Sequence, residues 1–292
     1  MFSISPVQIH KVAKNGISLK DDLLAVEDPM EIRLGFGKTN ERQQKSISVT
    51  MRTPGHDFEL ALGFLFSEGI IQQYSQIYTI KYCTDLGRQE SKNNIVRVEL
   101  KPDVVVDLSG LERNFYATSS CGICGKASIE VLQKIGCPYI PIVKNIVSQD
   151  IIYHLPTILR EAQNVFNHTG GLHAAGLFDK NGMLILLRED VGRHNALDKL
   201  IGASVNHVDL SDKIALVSGR LSFELVQKTL MAGIPILVAI GAPSSLAVEL
   251  AINFGLTLIG FLRDGSYNVY TGIERLILNT NFHSNNGSEN NE

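Results

Sequence analysis

Between residues 213 and 262, Lys213 to Val217, Ile234 to Ile240 and Leu256 to Leu262 read as strands, and Ser222 to Met231 and Ser244 to Phe254 as helices. Such a β-α-β-α-β run predicts a parallel sheet with crossover helices. Ligands of such sheets bind beyond the carboxyl ends of the strands. The loops at those ends read Ser218-Gly219-Arg220, Gly241-Ala242-Pro243-Ser244-Ser245 and Arg263-Asp264-Gly265-Ser266. Glycine lets a ligand approach the backbone, serine donates hydrogen bonds, helix N-termini attract anions, and arginine pairs bidentately with phosphate. Together the loops predict a cradle for a phosphorylated, nucleotide-bearing ligand. Ordinary turn chemistry accounts for the glycines, less readily for Arg220 and Arg263. Neither a Walker A pattern nor G-x-G-x-x-G is present, which argues against ATP hydrolysis and a dinucleotide redox fold.

The α/β pattern begins near residue 140. Pro156 to Phe166 reads as a helix with proline in its first turn, broken by Gly170-Gly171; Leu172 to Phe178 and Met183 to Arg188 follow as two strands. The segment Arg188 to Lys199 then crosses from strand to helix. A helix start needs less than two acids, two arginines and a histidine, so Glu189, Asp190, Arg193 and His194, grouped with His173, are candidate site-supporting residues. A solvated helix start is the competing reading.

The first 115 or so residues read as mixed α and β: strands over Glu31 to Phe36 and Lys45 to Met51, a helix over Asp57 to Ser67 capped by Asp57, and a strand pair, Ile77 to Tyr82 with Asn94 to Leu100. A turn and cap role for His56 and Asp57 is preferred over a catalytic one. The expected architecture is a smaller N-terminal α+β subdomain (1–117), a cysteine loop with its following helix (118–138), a larger C-terminal α/β domain (139–278) and a disordered tail (279–292).

Two of the four cysteines, Cys121 and Cys124, stand in Thr118-Ser-Ser-Cys-Gly-Ile-Cys-Gly125 at the seam. Lys126 to Ile135 reads as a helix stopped at Gly136-Cys137-Pro138. A thiol pair before a helix N-terminus, with Lys126 nearby, favours the nucleophilic thiolate. Buried free cysteines suit so polar a segment poorly. A zinc site lacks a second half, since Cys83 and Cys137 stand alone. The spacing by itself does not say whether the pair carries electrons or sulfur.

A formal net charge of −3 without a lysine-rich block gives no footprint for nucleic acid. No apolar run reaches the roughly 18 residues of a membrane span, and the N-terminus lacks a signal pattern. A cytoplasmic location, without nucleic-acid or membrane partners, is the expectation.

Met51-Arg52-Thr53-Pro54-Gly55-His56-Asp57, Ser119 to Gly125, Thr169 to Ala175, Glu189 to Asp198, Ser218 to Arg220, Gly241 to Ser245 and Gly260 to Tyr270, in this order, resemble the FdhD family of formate dehydrogenase accessory sulfurtransferases. The resemblance runs from about residue 25 to 278. It implies persulfide sulfur taken from an IscS-type cysteine desulfurase and handed to the molybdenum or tungsten of the bis-molybdopterin guanine dinucleotide cofactor, which then enters formate dehydrogenase. It further implies Cys121 as the persulfide carrier, Cys124 as relay or resolving partner, cofactor binding over Phe261, Leu262, Arg263, Asp264, Gly265 and Ser266, a guanine nucleotide as a mimic, and a homodimer. Ser218, Gly219, Arg220, Gly241 and Ser244 belong to the cradle read independently above. The family's larger domain resembles the cytidine deaminase fold, but zinc deaminases need H-x-E before P-C-x-x-C, and here His173 is followed by Ala174 and Ala175. A cofactor chaperone without sulfur chemistry and a disulfide reductase are the rival functions.

Overall fold

All four residues of β10 (Ile214–Val217) are buried, Ile214 and Leu216 on one face of the sheet and Ala215 and Val217 on the other. Such two-sided burial belongs to a sheet covered by helices on both faces. The computed structural model, which describes residues 3–83, 93–106, 132, 133, 135–263 and 265–279, carries that sheet as the centre of its larger half. Its six strands run β13-β12-β11-β10-β8-β9, with β8 (His173–Phe178), β9 (Leu184–Asp190), β11 (Ile236–Ala239), β12 (Thr257–Arg263) and β13 (Ser266–Thr271). β10, β11 and β12 are parallel, as their alternation with helices predicts; β8 is antiparallel to β9 and β10.

One face is covered by α4 (Arg193–Ser204), α5 (Phe223–Met231) and α6 (Ser245–Asn253), through Leu197, Leu200, Leu225, Leu230 and Leu250. The other face receives Ile152, Leu155 and Leu159 of α2 (Gln149–Ala162). Here the structure corrects the sequence reading. The helix begins seven residues before Pro156, where the Ser148 hydroxyl accepts from Asp150 N, so the proline lies inside it. A separate short helix, α3 (Asn164–Thr169), follows. The missing proline N–H costs α2 one hydrogen bond, and burial of three large aliphatic side chains on the sheet offsets it.

The N-terminal half has its own four-stranded sheet, ordered β4-β3-β6-β5: β3 (Asp28–Phe36), β4 (Gln43–Arg52), β5 (Ile77–Tyr82) and β6 (Ile95–Leu100). α1 (Asp57–Ser67) packs Leu60 and Leu65 against Ile32, Leu34 and Val98 of that sheet. Asp57 does not cap this helix. His56 is the N-cap, in the left-handed region at φ 58°, and the Asp57 carboxylate instead takes Arg52 Nε and Nη2 at 3.1 and 2.9 Å. Preceding this sheet, β1 (Ile4–Ala13) and β2 (Gly16–Ala25) form a hairpin that the sequence reading missed.

The two halves meet where α1 crosses α4 at backbone contact. A Cβ on Gly63 would lie 1.8 Å from Asp198 O, and one on Gly202 would lie 1.9 Å from Glu59 O. Beside the crossing, Arg188 holds Glu59 through Nε and Nη2 at 2.6 and 2.9 Å. Near the C-terminus, the short helix expected over Ile273 to Leu278 is a single 3-10 turn, Ile273–Arg275, followed by β14 (Leu276–Ile277), which pairs with β7 (Val147–Ser148). No helix among the described residues is long and apolar enough to cross a membrane.

Candidate functional site

The loops after β10, β11 and β12 converge because the parallel ladder continues past the strands. Gly241 N donates to Gly219 O at 3.2 Å, and Phe261 N donates to Gly241 O at 3.1 Å. Leu221 N to Ala242 O at 3.0 Å and Ser244 N to Leu221 O at 2.9 Å close the first two loops on each other. So tight a junction needs glycine: a Cβ on Gly241 would stand 2.8 Å from Gly219 O.

The predicted cradle residues divide into two groups by what they touch. Three hydroxyls are engaged within the protein. Ser218 Oγ accepts from Ala174 N at 2.9 Å, Ser244 Oγ caps α6 by accepting from Ala247 N at 3.2 Å, and Ser266 Oγ donates to Arg263 O at 3.2 Å. Arg220 and Arg263, in contrast, are exposed and have no carboxylate partner among the described residues. The Arg263 guanidinium lies 5.9 Å from the Phe261 ring centre. Phe261 itself has φ 54°, a left-handed conformation that costs a non-glycine residue about 1 kcal/mol or more, at a register shift between β12 and β13. Leu262 is buried beneath it and Gly265 turns the hairpin at φ 72°. Asp264 lies outside the described residues, as do Cys121, Cys124, most of the helix expected over Lys126 to Ile135, and the tail from residue 280. The stop expected after that helix is visible: Gly136 N reaches Gln133 O and Cys137 N reaches Leu132 O, the bond pair that terminates a helix at a left-handed glycine.

Among the candidate supporting residues, the acids are structural. Glu189 accepts Val165 N and Phe166 N at 3.0 and 2.9 Å, holding the first turn of α3. Asp190 is wholly buried and binds Lys199 Nζ at 2.7 Å, Thr53 N at 3.1 Å, Gly192 N at 2.9 Å and Asn195 Nδ2 at 3.0 Å. It thereby ties the turn after β4 to the start of α4.

His173, Arg193 and His194 gather instead at the edge of the cradle. Ser218 Oγ is 3.4 Å from His173 Nδ1, and His194 Nε2 is 3.1 Å from Ser222 Oγ and 3.9 Å from Glu224. Burial, then the Arg193 charge, lower the pKa of His173; burial with Arg193 and Lys228 pushes His194 down to about 4. Both imidazoles are therefore neutral at pH 7. The sequence reading missed Ser222 and Glu224, whose one available signal was their place in the first turn after Ser218-Gly219-Arg220. On its other side His194 borders a cavity of about 260 Å³ between the two halves, lined also by Thr50, Phe64, Glu68, Asp198 and Lys228.

Of the lone cysteines, Cys137 is buried and its thiol is pushed up to about 12 by that burial, while Cys83 is half-buried. Cys137 is thus unreactive at neutral pH.

Comparison with known proteins gives this geometry its context. The family model of the FdhD/NarQ family matches residues 25–277. The chain is 46% identical over 275 residues to the sulfur carrier protein FdhD of Streptomyces coelicolor, covering 93% of this chain and 95% of that one. It is 42% identical over 276 residues to the sulfur carrier protein FdhD of Sulfurisphaera tokodaii, covering 94% and 99%. Among solved structures, a protein of Desulfotalea psychrophila described as a formate dehydrogenase accessory protein superposes with a TM-score of 0.70 at 25% identity, covering 94% of this chain and 99% of that one. The chain belongs to the FdhD/NarQ family.

Proposed function

We propose that this protein is a sulfur carrier that takes persulfide sulfur from an IscS-type cysteine desulfurase and passes it to the metal of the bis-molybdopterin guanine dinucleotide cofactor, for use by formate dehydrogenase. The observation that carries the reading is the match, over nearly the full length of both chains, to proteins named as sulfur carriers. The chain retains a cysteine pair of the expected spacing, Cys121 and Cys124.

In the first step the Cys121 thiolate attacks the outer sulfur of the desulfurase persulfide; a new S–S bond forms and the desulfurase thiolate leaves. In the second, the Cys124 thiolate attacks the inner sulfur of Cys121. The outer sulfur leaves as hydrosulfide toward the metal, the two cysteines are left as a disulfide, and a cellular dithiol resets them. Direct donation from Cys121 without Cys124 is the alternative second step.

The cofactor is cargo in this scheme. Its guanine nucleotide arm would occupy the loops at Ser218 to Arg220, Gly241 to Ser244 and Phe261 to Ser266. The exposed Arg220 and Arg263, without a carboxylate partner among the described residues, support that placement. The cysteine loop would lie at a seam between domains of residues 1–117 and 139–278. The larger domain would share the cytidine deaminase fold that the family resemblance implies. A homodimer would suit a cofactor with two guanine arms.

A formate dehydrogenase maturation assay with Cys121→Ala and Cys124→Ala tests the scheme. Loss of activity in both fits the resolving step, and loss only in Cys121→Ala fits direct donation. Full activity in both points to a chaperone without sulfur chemistry.

A further inference from the structure

The β1–β2 hairpin leaves the body of the molecule as a ribbon of two ten-residue strands that pairs with no third strand among the described residues. It is tied down at its root, where Val26 N donates to Ser3 O at 2.9 Å, Ser3 Oγ donates to Pro54 O at 3.0 Å, and Ala25 lies beside Gly171. A two-stranded ribbon is marginally stable in water by itself, and gains stability when a hydrophobic face packs on something else. Neither strand alternates cleanly, but the register sorts their side chains into two faces. One face carries Pro6 and Leu23 near the root and Asp21 in the middle. His10 and Leu19 follow, with Val12 and Ile17 at the tip. Val12 and Ile17 are 73% and 71% exposed, and Leu19 is 55% exposed. Over the same outer half the other face carries Lys11, Ser18 and Lys20. The tip is thus apolar on one side and polar on the other, and an uncovered apolar patch of this kind marks an interaction surface.

The order of residues along the apolar face is complementary to itself. A second ribbon laid on it in the opposite direction, with a two-fold axis at the level of Ile9 and Lys20, sets Val12 and Ile17 of each copy on Pro6 and Leu23 of the other. The same operation sets Asp21 of each copy against His10 of the other, so the one acid of this face gains an N–H donor. Lys11, Ser18 and Lys20 stay in water. Laid in the same direction, the ribbons would instead bring Asp21 against Asp21, a like-charge contact. A two-fold interface requires the reciprocity that the antiparallel arrangement has.

We infer that the β1–β2 hairpin is a dimerisation arm, which packs its apolar face antiparallel on the same face of a second copy of this chain. This rests on the homodimer reading above and gives that dimer a surface, Val12, Ile17 and Leu19, and an orientation, fixed by Asp21 and His10.

Sedimentation equilibrium of the full-length wild type, of His10→Glu, of Asp21→Lys and of an equimolar mixture of the two variants tests this. In a dimer of His10→Glu the introduced glutamate meets Asp21 twice, and dimerisation should weaken at least about tenfold. Asp21→Lys removes the acid that His10 meets and should weaken the dimer as well. In the mixed dimer the glutamate faces the lysine and one native Asp21–His10 contact remains, so the mixture should recover close to wild-type affinity, which also shows that both variants fold. Dimerisation of both variants at wild-type strength, or a mixture no tighter than the variants alone, would overturn the arm while leaving the homodimer reading intact. The same proteins are titrated with a cysteine desulfurase; unchanged dimers that bind the desulfurase more weakly would give the face to that partner and overturn the inference. A wild type that stays monomeric at every concentration would remove the homodimer reading itself and this inference with it.

Discussion

Lys199 Nζ stands 2.7 Å from Asp190 Oδ2, with 1% and 0% of the two side chains exposed, and this pair joins the turn after β4 to the start of α4. Replacing Asp190 by Asn keeps the size but leaves a buried ammonium without its counter-ion. Breaking a buried pair in this way costs about 3 to 5 kcal/mol. Urea unfolding of Asp190→Asn should show that loss, and a loss under about 1 kcal/mol would contradict the pair's role.

The α1–α4 crossing depends on two missing side chains. Gly63→Ala places a methyl group 1.8 Å from Asp198 O, where only backbone movement relieves the clash. Overpacking typically costs about 1 to 3 kcal/mol, and a clash with backbone belongs at the upper end of that range. Thermal unfolding of Gly63→Ala and Gly202→Ala should show both strongly destabilised. Two proteins that melt with the wild type would contradict the crossing.

His194 makes stability depend on pH. Its native pKa of about 4 lies below the 6.5 of the unfolded chain, so between those values the unfolded state binds a proton that the native state refuses. The contribution is complete above pH 6.5, is lost as pH falls toward 4, and stays constant below that. His173, lowered in the same direction, adds to the slope. Because the His194 side chain is 36% exposed, solvent screening keeps the effect modest. The melting temperature of His194→Asn should therefore fall less steeply than that of the wild type between pH 6.5 and 4.5; identical slopes would contradict the assignment.

Thiol labelling separates the cysteines. With its pKa raised to about 12 and its side chain buried, Cys137 should resist iodoacetamide at pH 7.5 until denaturant is added. Rapid alkylation of Cys137 in the folded protein, mapped by peptide mass, would contradict its placement.

What the sequence disclosed follows from how local each signal was. The run β10-α5-β11-α6-β12 was legible because strand and helix periods alternate within 50 residues, and the loops at the strand ends came with it. The start of α2 was misread because Pro156 resembles a first-turn proline, while the true start, Ser148 capping Asp150 N, is a weak local pattern. The β1–β2 hairpin escaped because nearly all of its residues are exposed, so no alternation of inward apolar and outward polar residues marks it. Glu189 and Asp190 stood out by their charge in the sequence; in the fold they hold α3 and the β4 turn. Nothing local in the sequence connects Asp190 with Thr53, 137 positions away.

The most direct test of sulfur carriage is intact-mass spectrometry after incubation with a cysteine desulfurase and L-cysteine, followed by non-reducing peptide mapping. The account predicts the mass of added sulfur on the peptide carrying Cys121 and Cys124, absent from Cys121→Ala. An unchanged mass alongside an active desulfurase would contradict it.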